Sequence, residues 1–176
     1  MDGLLERAVG EFRRLHPDFL WELTASGVGI LRADAPRVRE VMQNLLSNAV
    51  KFSDPPGLIR VEAVGTRDRV TVSVTDEGIG IGEQDQARLF DRFFRASEKR
   101  EGTGLGLYMS RAIVEAHGGQ IDVESRTGQG ATFSFWLPRG KPAPRDRGVG
   151  SGQQPDRRRG TPLEASRAQG VADASR

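Results

Sequence analysis

Two β-rich runs, residues 58–64 and 69–75, are separated only by the turn-forming stretch Gly65-Thr66-Arg67-Asp68. Period-two patterning around so short a break specifies an antiparallel hairpin, and a lone hairpin is not stable without further strands or helices beside it. The flanking segments supply them. Upstream, Asp34 followed by Pro36 sets an N-cap and first turn. From there Val38, Val41, Met42, Leu45, Leu46 and Ala49 recur at helical spacing as far as about Phe52. Residues 3–15 carry a second apolar stripe (Leu4, Leu5, Ala8, Val9, Phe12, Leu15), too narrow and short to stand alone, and His16-Pro17 ends it. Strands are expected around Phe19, Trp21 and Leu23 and again at 28–31, then at 120–124 and 132–137, with helices at 84–90 and 105–116. Pro138 closes the last strand. Strands with helices interposed around a central hairpin give an α/β fold, a two-layer α/β sandwich.

The 176 residues include no cysteine and two histidines, His16 and His117, which excludes a disulfide scaffold, thiol chemistry and a multi-histidine metal centre. No apolar run approaches the roughly 20 residues needed to span a bilayer, and no signal-peptide pattern opens the chain, so a cytoplasmic location is expected. Nine of the 26 Lys and Arg and four of the 24 Asp and Glu fall in residues 139–176, a tail of +5, leaving 17 bases against 20 acids before it, net −3. An acidic body with a basic tail is no specific nucleic-acid binder. Beyond 140, Gly, Pro, Gln, Arg and Ser dominate without periodicity, and residues 140–176 read as a disordered basic tail.

Chemistry concentrates in three glycine turns and one helix face. Asp76-Glu77-Gly78-Ile79-Gly80 follows a strand, where Asp76 offers a carboxylate to an exocyclic amine, a preference for adenine over guanine. Gly102-Thr103-Gly104-Leu105-Gly106 opens a helix, whose free N–H groups and dipole make an anion site, with phosphate the expected anion. Gly128-Gln129-Gly130-Ala131-Thr132 leads into a strand, where Thr132 is placed to hydrogen-bond a base edge. Each turn alone is equally a loop or a cap, and neither GxxxxGK[ST] nor a dinucleotide fingerprint is present. Glu40, Asn44, Asn48 and Lys51 share one helical stripe. An asparagine oxygen at 48 suits Mg²⁺, which takes few protein oxygens plus substrate phosphates, and Lys51 is one turn away to neutralise those phosphates.

Asn44-Leu45-Leu46-Ser47-Asn48-Ala49-Val50-Lys51-Phe52 resembles the N box of sensor histidine kinases, and Asp76-Glu77-Gly78-Ile79-Gly80 their G1 box. Leu89-Phe90-Asp91-Arg92-Phe93-Phe94-Arg95 resembles the F box, Gly102 to Leu107 the G2 box, and Gly128 to Phe133 the last glycine box. Five motifs stand in the family's order within residues 30–138. The resemblance implies a Bergerat-type fold, a mixed and mostly antiparallel sheet backed by helices, with ATP held under a mobile lid. It implies a catalytic group of Asn44, Asn48 and Lys51, with Asn48 as Mg²⁺ ligand and Asp76 as adenine reader. Phe52 takes the place of an aromatic beside the nucleotide. Gly78, Gly80, Ile81, Gly102, Thr103, Gly104, Leu105, Gly106 and Leu107 are implied to line the pocket, and Thr132 to lie near the adenine. Arg92 and Arg95 are lid candidates for phosphate contact, while Phe90, Phe93 and Phe94 are expected to anchor the lid by burial.

In the hydrolytic relatives a glutamate one turn before the magnesium asparagine activates water, and here that position is Asn44, which is no base. Hydrolysis is therefore expected to be slow, leaving the γ-phosphate for a protein nucleophile. The resemblance implies a histidine on a separate dimerisation hairpin as that nucleophile, and a response regulator as the later partner. His16, in Leu15-His16-Pro17-Asp18, lacks the surroundings of the phosphoacceptor, and His117 reads as a helix C-cap. The division expected is a helix at 1–16, at most the tail of a dimerisation hairpin, then an ATP-binding domain at 17–139 and the tail. Only six residues separate Arg95 from Gly102, a short lid. An ATP-binding regulatory module without phosphotransfer and a serine-directed anti-sigma kinase are the alternative readings.

Overall fold

The computed structural model describes residues 1–96 and 103–140. In chain order these form α1 (Asp2–Leu15), β1 (Leu20–Ser26), α2 (Ala35–Phe52), β2 (Leu58–Gly65), β3 (Arg69–Asp76), α3 (Glu83–Gln86), α4 (Gly106–Ala116), β4 (Gln120–Ser125) and β5 (Ala131–Pro138). The strands make one sheet in the order β1-β2-β3-β5-β4. β1 runs parallel to β2, and the remaining pairs are antiparallel, so the sheet is mixed and mostly antiparallel, as expected. The hairpin at its centre closes through Thr66, whose N–H donates to the Arg69 carbonyl at 2.8 Å.

Strand alternation divides the two sheet faces. Ile59, Val61, Val72, Val74 and Phe135 are buried and join the Leu45, Leu46, Ile113 and Val114 side chains of α2 and α4 in one core. The opposite face carries Ser73, Thr75, Thr132 and Ser134, paired across the strands by hydroxyl contacts of 2.9 and 3.0 Å. This is an open two-layer α/β sandwich.

The helix expected at 1–16 packs against the rest of the fold. Leu4, Leu5, Ala8 and Val9 of α1 are buried in the same core as α2 and the sheet, each larger side chain contributing about 1.5–3 kcal/mol by leaving water. The first helix thus shares the core of α2 and the sheet. Two expectations change. Residues 28–31 form no strand, because Gly27 and Gly29 adopt φ of 64° and 54° and break the extended run. The helix expected at 84–90 is α-helical only over Glu83–Gln86. It continues as tight turns closed by three-residue bonds, Arg88 N–H to Asp85 O at 3.0 Å and Asp91 N–H to Arg88 O at 2.8 Å, in place of four-residue ones. Gly102, most of the short lid, and the tail from 141 onward lie outside the described residues.

α4 is tied to α2 at both of its ends. Asp34 caps α2 by accepting the Arg37 N–H at 3.3 Å, and its own N–H donates to His117 Nε2 at 3.1 Å. His117 Nδ1 lies 2.7 Å from the Ile113 carbonyl, so this nitrogen carries the proton and the ring caps the end of α4 while gripping the start of α2. At the other end the Asn44 amide nitrogen donates to the Gly106 carbonyl and to Ser110 Oγ, both at 3.2 Å.

Candidate active site

Between α2, the end of β3, the start of α4 and the residues after β3 lies a cleft of about 570 Å³. Asn44, Asn48, Lys51 and Phe52 reach it from α2, and Asp76 from the end of β3. Gly80 and Ile81 come from the turn after β3, Arg95 from before the lid, and Thr103, Gly104, Gly106 and Leu107 from the opening of α4. Amide, carboxylate and helix N-terminus, separated by tens of residues in the chain, thus meet around one space.

Asp76 is 5% exposed. Its Oδ1 accepts the Gly78 N–H at 2.9 Å. Burial pushes its carboxyl above the usual range, opposed by hydrogen bonds from the Gly78 and Ala131 backbone and by the nearby Ser53 hydroxyl. Two glycines make this pose possible. A Cβ on Gly78 would collide with the Phe52 carbonyl oxygen and come within 2.8 Å of Asp76 Oδ1. Gly130, at φ 74°, lies against the Asp76 backbone, where a Cβ would stand 2.8 Å from its carbonyl carbon. The Asp76 turn is locked to the end of α2 and to the Gly128 turn through Ile79 N–H to Phe52 O at 3.1 Å, Gly130 N–H to Gly78 O at 2.9 Å and Gly128 N–H to Ile79 O at 2.7 Å.

The other end of the cleft is built for negative charge. α4 has no side-chain cap at its N-terminus, which leaves first-turn N–H groups and the positive dipole end directed at the opening. Lys51 lines the same space, its Nζ 4.9 Å from the centre of the Phe52 ring. Among the described residues no group of three or more His, Asp or Glu side chains is placed to hold a metal ion. Asn48 offers a neutral amide oxygen in the cleft, and phosphates would supply the remaining charge.

Several expected residues are placed elsewhere. Thr132 faces away from the cleft. Asp76 stands opposite Ala131 in the register, so Ala131 and Phe133 turn inward to line the cleft and Thr132 turns to the outer face, 3.0 Å from Thr75 Oγ1. Arg92 does not line the cleft, and its guanidinium lies 4.6 Å from the centre of the exposed Phe93 ring. Phe93 is no buried anchor: it is 58% exposed and holds φ of 66°, whereas Phe94 lines the cleft. Gly78 supports Asp76 from behind, and Leu105 is the N-cap residue of α4. His16 lies at the end of α1 with its ring 5.9 Å from that of Phe12. Sequence reasoning missed Asp85, Leu89 and Thr127 among the lining residues, and the buried Ser53 and Ser110; none carries a pattern of its own.

Residues 33–141 match the family described as histidine kinase-, DNA gyrase B- and HSP90-like ATPase. The circadian input-output histidine kinase CikA of Synechococcus elongatus is 47% identical over 115 residues, covering 63% of this chain and 15% of CikA. The chain therefore spans a small fraction of that relative's length. The structure of full-length ShkA in complex with AMPPNP superposes with a TM-score of 0.70 at 32% identity, over 81% of this chain and 30% of that one. The structure of the histidine kinase ThkA in complex with the response regulator protein TrrA does so with a TM-score of 0.68 at 26% identity, over 80% and 40%. No helix of the described residues is long and apolar enough to cross a membrane. A match across most of the folded residues, on a sheet and cleft of this design, makes the chain a member of the histidine kinase-, DNA gyrase B- and HSP90-like ATPases, with the fold of a sensor histidine kinase catalytic domain.

Proposed function

We propose that this domain binds Mg·ATP in the cleft and transfers the γ-phosphate to a histidine on a separate dimerisation segment, from which a response regulator then receives it. One observation carries the reading: Asn48 and Lys51 line the same cleft as the buried Asp76, so metal–phosphate and purine ends of one nucleotide have separate partners. Asp76, ionised, accepts from the exocyclic amine. Asn48 would hold Mg²⁺, which when bound neutralises phosphate charge. Lys51 and the first turn of α4 orient the phosphates, and Arg95 is in place to contact them. Gly78 and Gly130 keep Asp76 aimed.

Phosphoryl transfer of this kind depends chiefly on positioning and on stabilising charge over the phosphate oxygens. Asn44 is suited to positioning and not to activating water. It is no base, and its amide nitrogen is engaged by the Gly106 carbonyl and Ser110. The AMPPNP bound by ShkA and the response regulator bound by ThkA support the ligand and partner classes.

The test is to incubate the chain with γ-labelled ATP, Mg²⁺ and an isolated dimerisation hairpin from a sensor histidine kinase. The expected product is label on the hairpin that survives base and is lost in acid, absent with Asn48→Ala. Nucleotide binding without transfer to any hairpin would instead favour a regulatory module, and alkali-labile label would indicate a hydroxyl acceptor.

A further inference from the structure

Ser53 is the residue that ends α2, with φ −107° and ψ 161°. It is 4% exposed, and its Oγ is the one buried side-chain polar atom among the described residues without a hydrogen-bond partner. A buried hydroxyl left unpaired is destabilising, and such atoms call for a reason. Its surroundings supply one. The preceding carbonyl, Phe52 O, accepts the Ile79 N–H at 3.1 Å, which presses the end of α2 onto the turn that carries Asp76. The Ser53 hydroxyl stands beside the Asp76 carboxyl, near enough to favour its ionised form, yet longer or more oblique than a hydrogen bond.

We infer that Ser53 is the positioning residue of the base-reading carboxylate: with a purine nucleotide in the cleft, its O–H donates to Asp76, holding that group ionised and aimed at the exocyclic amine. This inference rests on the nucleotide-binding reading and deepens it. Asp76 needs such a donor, because its burial opposes the charged form that the amine requires. The ionisable groups on the elements around it are Lys51 on α2, Asp54 after α2, Arg60 on β2, Glu77 beside it, Asp85 on α3, Arg95 in the same cleft, Glu124 on β4 and Arg126 after β4. None of them figures among the causes acting on it: burial raises the carboxyl, and the Gly78 and Ala131 backbone and the Ser53 hydroxyl oppose that rise. Arg60 is held by Glu22 at 2.8 Å, and the Glu77 carboxylate accepts the Leu58 N–H at 3.4 Å. The Ser53 hydroxyl is a side-chain donor standing beside the charge.

The experiment measures Mg·AMPPNP affinity of the full chain by calorimetry from pH 5 to pH 8.5, for wild type, Ser53→Ala and Ser53→Thr. Removing the donor raises the Asp76 pKa further, so the acid loss of affinity moves to higher pH. Ser53→Ala is expected within about twofold of wild type at pH 8.5 and severalfold weaker at the acid end, the gap widening as pH falls. Ser53→Thr, which keeps the hydroxyl, is expected to follow the wild-type profile. Melting temperatures confirm that each variant is folded; if Ser53→Ala does not fold, Ser53→Cys, a weak donor of similar size, takes its place with the same expected profile. No gap, or one that does not change with pH, would overturn the inference while leaving the nucleotide site standing. Failure of the wild type to bind Mg·AMPPNP at any pH would overturn the site itself, and this inference with it.

Discussion

Gly128 and Gly130 lie two residues apart in one turn and both hold left-handed backbone, with φ of 78° and 74°. Their surroundings differ. A Cβ on Gly128 meets nothing within 4 Å, whereas one on Gly130 collides with the Asp76 carbonyl oxygen and stands 2.9 Å from the Glu77 Cα. Alanine at either position carries the same handedness cost of about 1–2 kcal/mol. At 130 the strand end must also move, which overpacking data put at about 1–3 kcal/mol more. For a domain of this size 1 kcal/mol corresponds to roughly 3 °C, so Gly128→Ala is expected to melt about 3–6 °C low and Gly130→Ala about 6–15 °C low. The functional contrast is sharper. Gly128→Ala should keep its Mg·AMPPNP affinity, while Gly130→Ala, which displaces Asp76, should lose at least about tenfold, since a misaligned charged hydrogen bond forfeits about 1.5–3 kcal/mol. Thermal melting and calorimetry on the two purified variants decide it. Equal melting temperatures would refute the role given to the Asp76 contact, and unchanged affinity in Gly130→Ala would refute the coupling of that turn to base recognition.

Asp76→Asn removes a buried charge as well as a binding group. Burial raises the folded carboxyl above its ordinary value, so the fold is penalised once pH rises past the unfolded pKa, by about 1.4 kcal/mol for each pKa unit. The nucleotide-free variant should therefore melt no lower than wild type at pH 7, with the difference vanishing towards pH 4, while adenine-nucleotide binding is lost; a melting scan over pH checks it. Thr132→Ala should leave nucleotide affinity within about twofold and cost about 1 kcal/mol or less, the lost Thr75 contact alone; weakened binding in calorimetry would return Thr132 to the cleft. Leu5→Ala, at a fully buried position of α1, should cost about 2–5 kcal/mol in denaturant unfolding; a neutral result would detach the first helix from the domain.

Much of the site is legible because period and spacing carry it. Asn44, Asn48 and Lys51 fall on one helical stripe, and all three line the cleft. The last strand shows what the same logic settles against a motif. Phe133, Phe135 and Leu137 are buried, so their apolar alternation already turns Thr132 and Ser134 outward, against the expectation, drawn from the glycine turn and from the resemblance alike, that Thr132 meets a base edge. Residues 28–31 looked extended because Val28, Ile30 and Leu31 favour strands, but the glycines at 27 and 29 decide the backbone there. Ser53 and Ser110 left no trace, since a serine after a helix or within one fits many roles. Their meaning arises only where α2 meets the Asp76 turn and where Asn44 reaches α4. The narrow stripe of the first helix required a partner, and the core formed by α2 and the sheet supplies it.

The most direct measurement titrates AMPPNP, with and without Mg²⁺, into the wild-type chain, Asn48→Ala and Asp76→Ala. The two ends of one nucleotide should separate. Wild type binds more tightly with Mg²⁺, Asn48→Ala loses that gain, and Asp76→Ala loses binding in either condition. Wild-type affinity and metal dependence in both variants would contradict the assignment of this cleft.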